Sequence, residues 1–285
     1  MSSPVIDTTA AELLKLVRRP AAWVLLAVAA VLNLIFAYVV PYLSYTSGSG
    51  GGMTDGATPE QLLASTLPDQ LVANTIGGFA VFAGALALVL GALMFGSEYG
   101  WGTVKTMLTQ RAGRGSVLLG QLTALAVAIA VGLLVMFGLG ALTSTGIALA
   151  EDQAINWPGP LDLAQGYGYG WLILLTWAVL GAALGVLLRG VALPIGLGVV
   201  WVLGIENLVT AMATSVLDAL EPLRDVLPGV NAGSLINTVL VDRSVEPAPG
   251  VTDAVGEGRA LLTLACYLVV AGVAAAWSMR RRDIT

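Results

Sequence analysis

The chain has 285 residues, of which 57% are hydrophobic and 11% charged, with a formal net charge of −5; an ordinary soluble domain carries roughly 25% charged residues. A mean hydropathy of +0.86 cannot be concealed inside a globule of this size, so the excess apolar surface must face lipid, which excludes a typical soluble enzyme. There is no histidine and one cysteine, Cys266, which removes a disulfide framework, a thiolate metal cluster and any Ser/His or Cys/His nucleophilic pair; a pI near 4.7 argues against nucleic acid.

Residues 5–19 come first. Ile6, Ala10, Leu13, Leu14 and Val17 recur at helical spacing, with Asp7, Glu12, Lys15, Arg18 and Arg19 on another face. The pattern predicts an amphipathic helix over 5–19 lying on the membrane surface; Thr9 and Glu12 have capping-box spacing, and Pro20 ends the segment. The alternative is a basic flank that only orients the first span.

Charge-free runs then place six spans at about 21–43, 71–96, 117–148, 168–188, 191–213 and 260–279, because a bilayer-crossing helix needs about 20 apolar residues. Each must be a helix, since lipid cannot satisfy a free backbone. The fold class expected is therefore all-α, as a single transmembrane domain over 1–285. The first outer loop carries SGSGGG at Ser47 to Gly52, a flexible linker. Trp157 and Trp171 fit an outer aromatic belt, Trp23 and Trp277 an inner one. Gly181 and Gly185 form a GxxxG pair, read either as a close helix contact or as chance in a glycine-rich chain. Between spans five and six, Pro222, Pro228 and two glycine turns break an apolar but charged stretch into short helices on the outer face.

Ten of the thirteen basic residues fall on one side: Lys15, Arg18, Arg19, Lys105, Arg111, Arg114, Arg189 and Arg280 to Arg282. The positive-inside rule then puts both termini in the cytoplasm of a multi-pass protein of the cell membrane. The loop 97–116 is cytoplasmic in that orientation. Gly100, Gly102 and Gly113 bracket a short amphipathic helix started near Thr103 and bearing Lys105, Arg111 and Arg114. Such a helix suits docking to a soluble partner; the competing reading is that its charges only fix topology.

No catalytic or metal-binding motif appears. The only lysine followed by threonine is Lys105, and Val104 stands where a Walker A sequence needs glycine. Glu206 is the one acid within a span, so it is either a pathway or gate residue or a headgroup-level acid at the end of the hydrocarbon. Trp177 and Trp201 lie deeper than interfacial belts and are either substrate-facing or packed. Asn207 is either an interhelical hydrogen-bond partner or a ligand.

The order Glu98, Gly102, Thr103, Lys105, Leu108 and Arg114 directly after a second span resembles the permease subunits of ABC-2 type ABC transporters. The amphipathic first helix, Glu206-Asn207-Leu208 followed by Leu227 to Gly229, and the closing Arg281-Arg282-Asp283-Ile284 agree. The sequence departs where the family often has a proline and a serine before the loop's arginine: Arg111 and Gly113 stand there. The resemblance implies a permease that pairs with a second copy of itself and with two cytoplasmic ABC ATPase subunits. ATP and Mg would be held by those subunits and no cofactor by this chain. It also implies docking through Glu98, Gly102, Thr103, Lys105, Leu108, Arg111 and Arg114. A pathway or outer gate would involve Glu206, Asn207, Trp177, Trp201 and Pro228 within or beside an extracellular region at 214–258. The expected function is export of a drug, antibiotic, peptide or lipid-like substrate; the alternatives are an ion-coupled secondary transporter and a non-transporting sensor or immunity protein.

Overall fold

The computed structural model describes residues 3–48, 56–100, 113–215, 217–240 and 248–281, and all regular structure among them is helical. Helix α1 is Pro4–Arg18 and α2 Pro20–Ser47, the latter with a five-residue π turn at Ile35–Val39. A short α3, Pro59–Ala64, precedes α4, Leu71–Ile76, which is flanked by 3-10 turns at Pro68–Gln70 and Gly77–Phe79. Then come α5 Phe82–Gly100, α6 Arg114–Ala150, α7 Pro160–Leu188 and α8 Ala192–Thr214, with a second π turn at Trp201–Ile205. Two short helices, α9 Glu221–Arg224 and α10 Pro228–Thr238, lead to α11, Glu257–Arg281.

Prolines start many of these helices. Pro4, Pro20, Pro59, Pro160 and Pro228 all stand in a first turn, where the missing N–H costs nothing because first-turn amides have no acceptor in the helix. Pro20 also holds Arg19 extended, which separates α1 from α2.

Five helices, α2, α6, α7, α8 and α11, are long and apolar enough to cross a membrane, and a sixth crossing exists if Pro68–Phe79 and Phe82–Glu98 count as one bent span. This corrects the straight second span at 71–96: the two pieces meet at 57°. The residues at the break, Ala80 and Val81, are apolar and uncharged, so hydropathy does not register it. The fourth span also starts earlier than 168. Its helix reaches back to Pro160, where the Asp162 carboxylate accepts the Gly159 N–H at 3.1 Å. The first helix starts at Pro4, one residue before the expected 5, and Thr9 does not cap it but lies inside it, its hydroxyl donating to the Val5 carbonyl at 2.8 Å.

Helix α7 is the hub. Of its most apolar window 61% is buried, against 11% for α2. Along α7 runs α5, so close that a Cβ at Gly91 would overlap the Ala178 carbonyl oxygen, and one at Gly181 the Leu88 carbonyl oxygen. The GxxxG pair at Gly181 and Gly185 is thus a helix contact, which small residues permit where lipid supplies no hydrophobic drive between helices. Peripheral α2 and α8 leave Val24, Val28, Val31, Leu193, Leu197 and Val200 exposed. Apolar groups on the outside of a buried-glycine core are the mark of a multi-pass membrane protein.

Helix α1 turns one side to the bundle: Glu12 and Leu16, a turn apart, are buried, while Ile6, Leu14 and Val17 are exposed together with Asp7 and Arg18.

Candidate functional site

At the end of the bundle that carries α1, charges from three helices converge. Glu98, 4% exposed at the end of α5, accepts from Lys15 Nζ at 3.2 Å and lies 3.5 Å from Arg19 Nη2. Lys15 also donates to Glu12 at 2.8 Å, and Arg19 Nη1 to Ser97 Oγ at 3.1 Å and the Leu93 carbonyl at 3.4 Å. Burial acts to lower the Lys15 pKa, but the hydrogen bond and charge of Glu12 and the charge of Glu98 outweigh it and hold the ammonium above its ordinary 10.5. Two acids and two bases thereby fasten the α1–α2 corner to the last turn of α5.

Of the residues expected to dock a partner, Glu98 is inside this cluster. Arg114 begins α6, and Gly102, Thr103, Lys105, Leu108 and Arg111 lie outside the described residues. The sequence did not reveal Lys15 and Arg19 as partners of Glu98, nor Glu12 and Ser97 as the groups that hold those two bases. The signal was there in outline, since two basic residues before the first span and an acid after the second must meet if those spans are antiparallel neighbours.

At the opposite end, Glu206 is 4% exposed. Its Oε1 accepts the Trp201 indole N–H at 2.6 Å and its Oε2 the Gly229 backbone N–H at 2.8 Å. The amide of Gly229 is one of the first-turn donors of α10 that no helical carbonyl can satisfy, so the carboxyl group caps α10 from α8. Glycine lets the carboxyl group come this close, because a Cβ would overlap Glu206 Oε2 and push it aside. Pro228, at the first position of α10, is buried beside it. Further ties hold this end: Arg224 and Arg259 both reach Asp225, at 2.8 and 3.2 Å, and the Tyr267 hydroxyl donates to the Val226 carbonyl at 3.0 Å.

Of the other expected pathway residues, Trp177 and Trp201 stand beside this cap, Trp177 at contact distance from a Cβ built on Gly229 and Trp201 bonded to Glu206. Trp177, read as a possible substrate surface, is 1% exposed and packed inside the chain, with Gly84 against its indole. Its depth reflects packing, the commoner use of an aromatic ring in a helix bundle. Trp201 is 41% exposed while its N–H serves Glu206. Asn207 is exposed and turns back on its own helix, donating to the Val202 and Leu203 carbonyls at 3.3 and 3.0 Å, which the π turn leaves without their usual partners. Glu206 is thus a buried, twice hydrogen-bonded acid. Trp171, expected in an interfacial belt, donates instead to Ala126 within α6 at 3.0 Å.

No curated protein matches the chain. Residues 9–284 match the family model described as ABC-2 family transporter protein. With nearly its whole length so matched, the chain belongs to the ABC-2 transporter family, as a membrane transport component and not itself a catalyst.

Proposed function

We propose that this chain is the transmembrane permease subunit of an ATP-driven ABC-2 exporter in the cell membrane. It would cross the bilayer six times, counting the bent α4–α5 pair once, with both termini cytoplasmic and α1 lying at the inner surface. It would work as a pair of identical copies with two cytoplasmic ABC ATPase subunits, which bind ATP and Mg. The cargo class is a drug, antibiotic, peptide or lipid-like molecule.

The observation that carries this reading, beside family membership, is the Glu98 cluster. It sits where α5 leads into residues 101–112, the segment assigned to docking. A displacement delivered to that segment reaches α1 and α2 through Lys15 and Arg19 without first deforming the helices, because the four charges tie the three elements together. The far end is held by Glu206 across α8 and α10, so opening there requires the Gly229 hydrogen bond to part. Alternating access then consists of loading one end and releasing the other.

The test is purification with the candidate ATPase subunits, followed by measurement of ATP hydrolysis and substrate efflux. A stable complex is expected, with charge reversal at Lys105 or Arg114 reducing efflux about tenfold or more, the scale of losing one or two charge-assisted contacts. No complex, together with unchanged efflux in those variants, would overturn the docking role. Substrate movement into vesicles that hold this chain alone, without ATP, would instead establish an ion-coupled transporter.

A further inference from the structure

Behind the bend between α4 and α5 lies a cavity of about 610 Å³, inside the range of roughly 300–1,000 Å³ of small-molecule sites. Its cause is geometric. Helix α5 turns away by 57°, while α2 is held to α4 by Asn33, whose Nδ2 donates to the Asn74 and Thr75 carbonyls at 2.8 and 3.1 Å. Helix α2 therefore bridges the hollow instead of following α5 into it. The lining extends along α2 from Ala29 to Pro41, about 18 Å at 1.5 Å per residue. At its rim the rings of Phe36 and Phe82 stack, centroids 6.3 Å apart and planes 11° from parallel, each more than 40% exposed. Phe79 lines it from within.

The chemistry of the lining narrows the occupant. Among the described residues, no acidic or basic residue borders the cavity; its polar members there are Asn33, Asn74, Gln70 and Ser65. An ion among them would lose its hydration without a counter-charge, which is costly. A pure hydrocarbon would leave the polar groups unserved. Each of the four already donates within the protein: Asn33 as above, Asn74 to the Ser65 carbonyl at 2.7 Å, Ser65 to the Leu62 carbonyl at 2.8 Å and Gln70 to Asp69 at 3.3 Å. Each keeps an oxygen able to accept. The geometry points to a binding site for an uncharged amphiphile, its apolar body against Phe36, Phe79 and Phe82 and its hydroxyl or N–H donors toward the asparagine, glutamine and serine oxygens.

The site needs no ATPase, so it stands or falls apart from the docking reading. It is tested on the full chain in lipid nanodiscs with a monoacylglycerol carrying a diazirine in its acyl chain. The fatty-acid and alkylammonium analogues of the same chain length supply the two charged arms. After irradiation, adducts are located by mass spectrometry. The neutral probe is expected to label peptides containing Phe36 and Phe82 saturably and in competition with unlabelled monoacylglycerol, the charged analogues about tenfold less. Gly78 borders the cavity and a Cβ there meets nothing within 4 Å; Gly78→Leu fills the space and is expected to cut labelling about tenfold. Gly138→Leu, in similarly open surroundings on α6, should leave it intact, and Ala83→Leu serves if Gly78→Leu does not fold. Non-saturable labelling equal to that of lipid-facing α6, equal labelling by the three probes, or undiminished labelling in both filled variants would overturn the site.

Discussion

Glu206 and Gly229 hold each other in place through one hydrogen bond and one missing methyl group. Glu206→Ala leaves the Gly229 amide and the Trp201 indole without their acceptor, and an unsatisfied buried donor costs about 1–3 kcal/mol. Gly229→Ala should lose a similar amount by driving the carboxyl group away, while Glu206→Gln, which retains an acceptor oxygen, should lose less. Thermal unfolding in nanodiscs, followed by tryptophan emission, measures the ordering; an unchanged midpoint in Gly229→Ala would remove the cap. Lys15 gives a residue-scale prediction with a sign. Its pKa is raised in the folded chain, so its contribution is complete below the unfolded value of 10.5 and is lost as pH climbs through the higher folded value. The thermal midpoint of Lys15→Met should therefore fall less steeply than that of the parent above pH 10.5, with no divergence in slope between neutral pH and that point. Both acids at the centre of these clusters, Glu98 and Glu206, stand out in the sequence as charges at or inside the end of a span. Their partners do not, because Lys15 is 83 residues from Glu98 and Gly229 is 23 from Glu206, beyond the reach of any local pattern.

Among the elements, the contact of α5 with α7 is the closest in the fold, and its glycines can be distinguished from those that are merely common. Gly181→Ala places a methyl group on the Leu88 carbonyl and should destabilise by about 1–3 kcal/mol, the range for overpacking. Gly146→Ala on α6, where nothing lies within 4 Å, should have little effect. Equal midpoints for the two would mean that α5 and α7 can separate freely. The helices α2, α6, α7, α8 and α11 were legible because a charge inside hydrocarbon is costly, so charge-free runs mark them by exclusion. The α4–α5 bend was not, since Gly77, Gly78, Ala80 and Val81 are as acceptable to lipid straight as bent. The cavity follows from that bend and shares its invisibility. The burial of Glu12 was missed for a related reason: the residue looks solvated by composition, and only the acid-base pairing with Lys15 makes its burial tolerable.

For the molecule as a whole, the crossing number decides which termini share a side. With Cys266 replaced and single cysteines introduced at Ser3, Gly159 and Ser278, an impermeant maleimide applied to intact cells should modify Gly159→Cys alone. Labelling at both Ser3 and Gly159, or at Ser278, would mean that the bent pair does not cross. The π turn of α8 bears on where Glu206 points. Pro194, Gly198, Val202 and Glu206 are buried and follow each other at intervals of four, and in an unbroken α-helix each such interval overshoots a full revolution by about 40°. Three intervals would swing the fourth member about 120° off the line of the first, away from the protein side. The wide turn works as a vernier, taking back close to the 100° of one residue and returning Glu206 to the protein side. Excising a single residue from 201–205 would let an ordinary α-helix carry Glu206 to the same face, since eleven steps of about 100° end in the same direction as twelve steps less the bulge, so the acid should stay on the protein side.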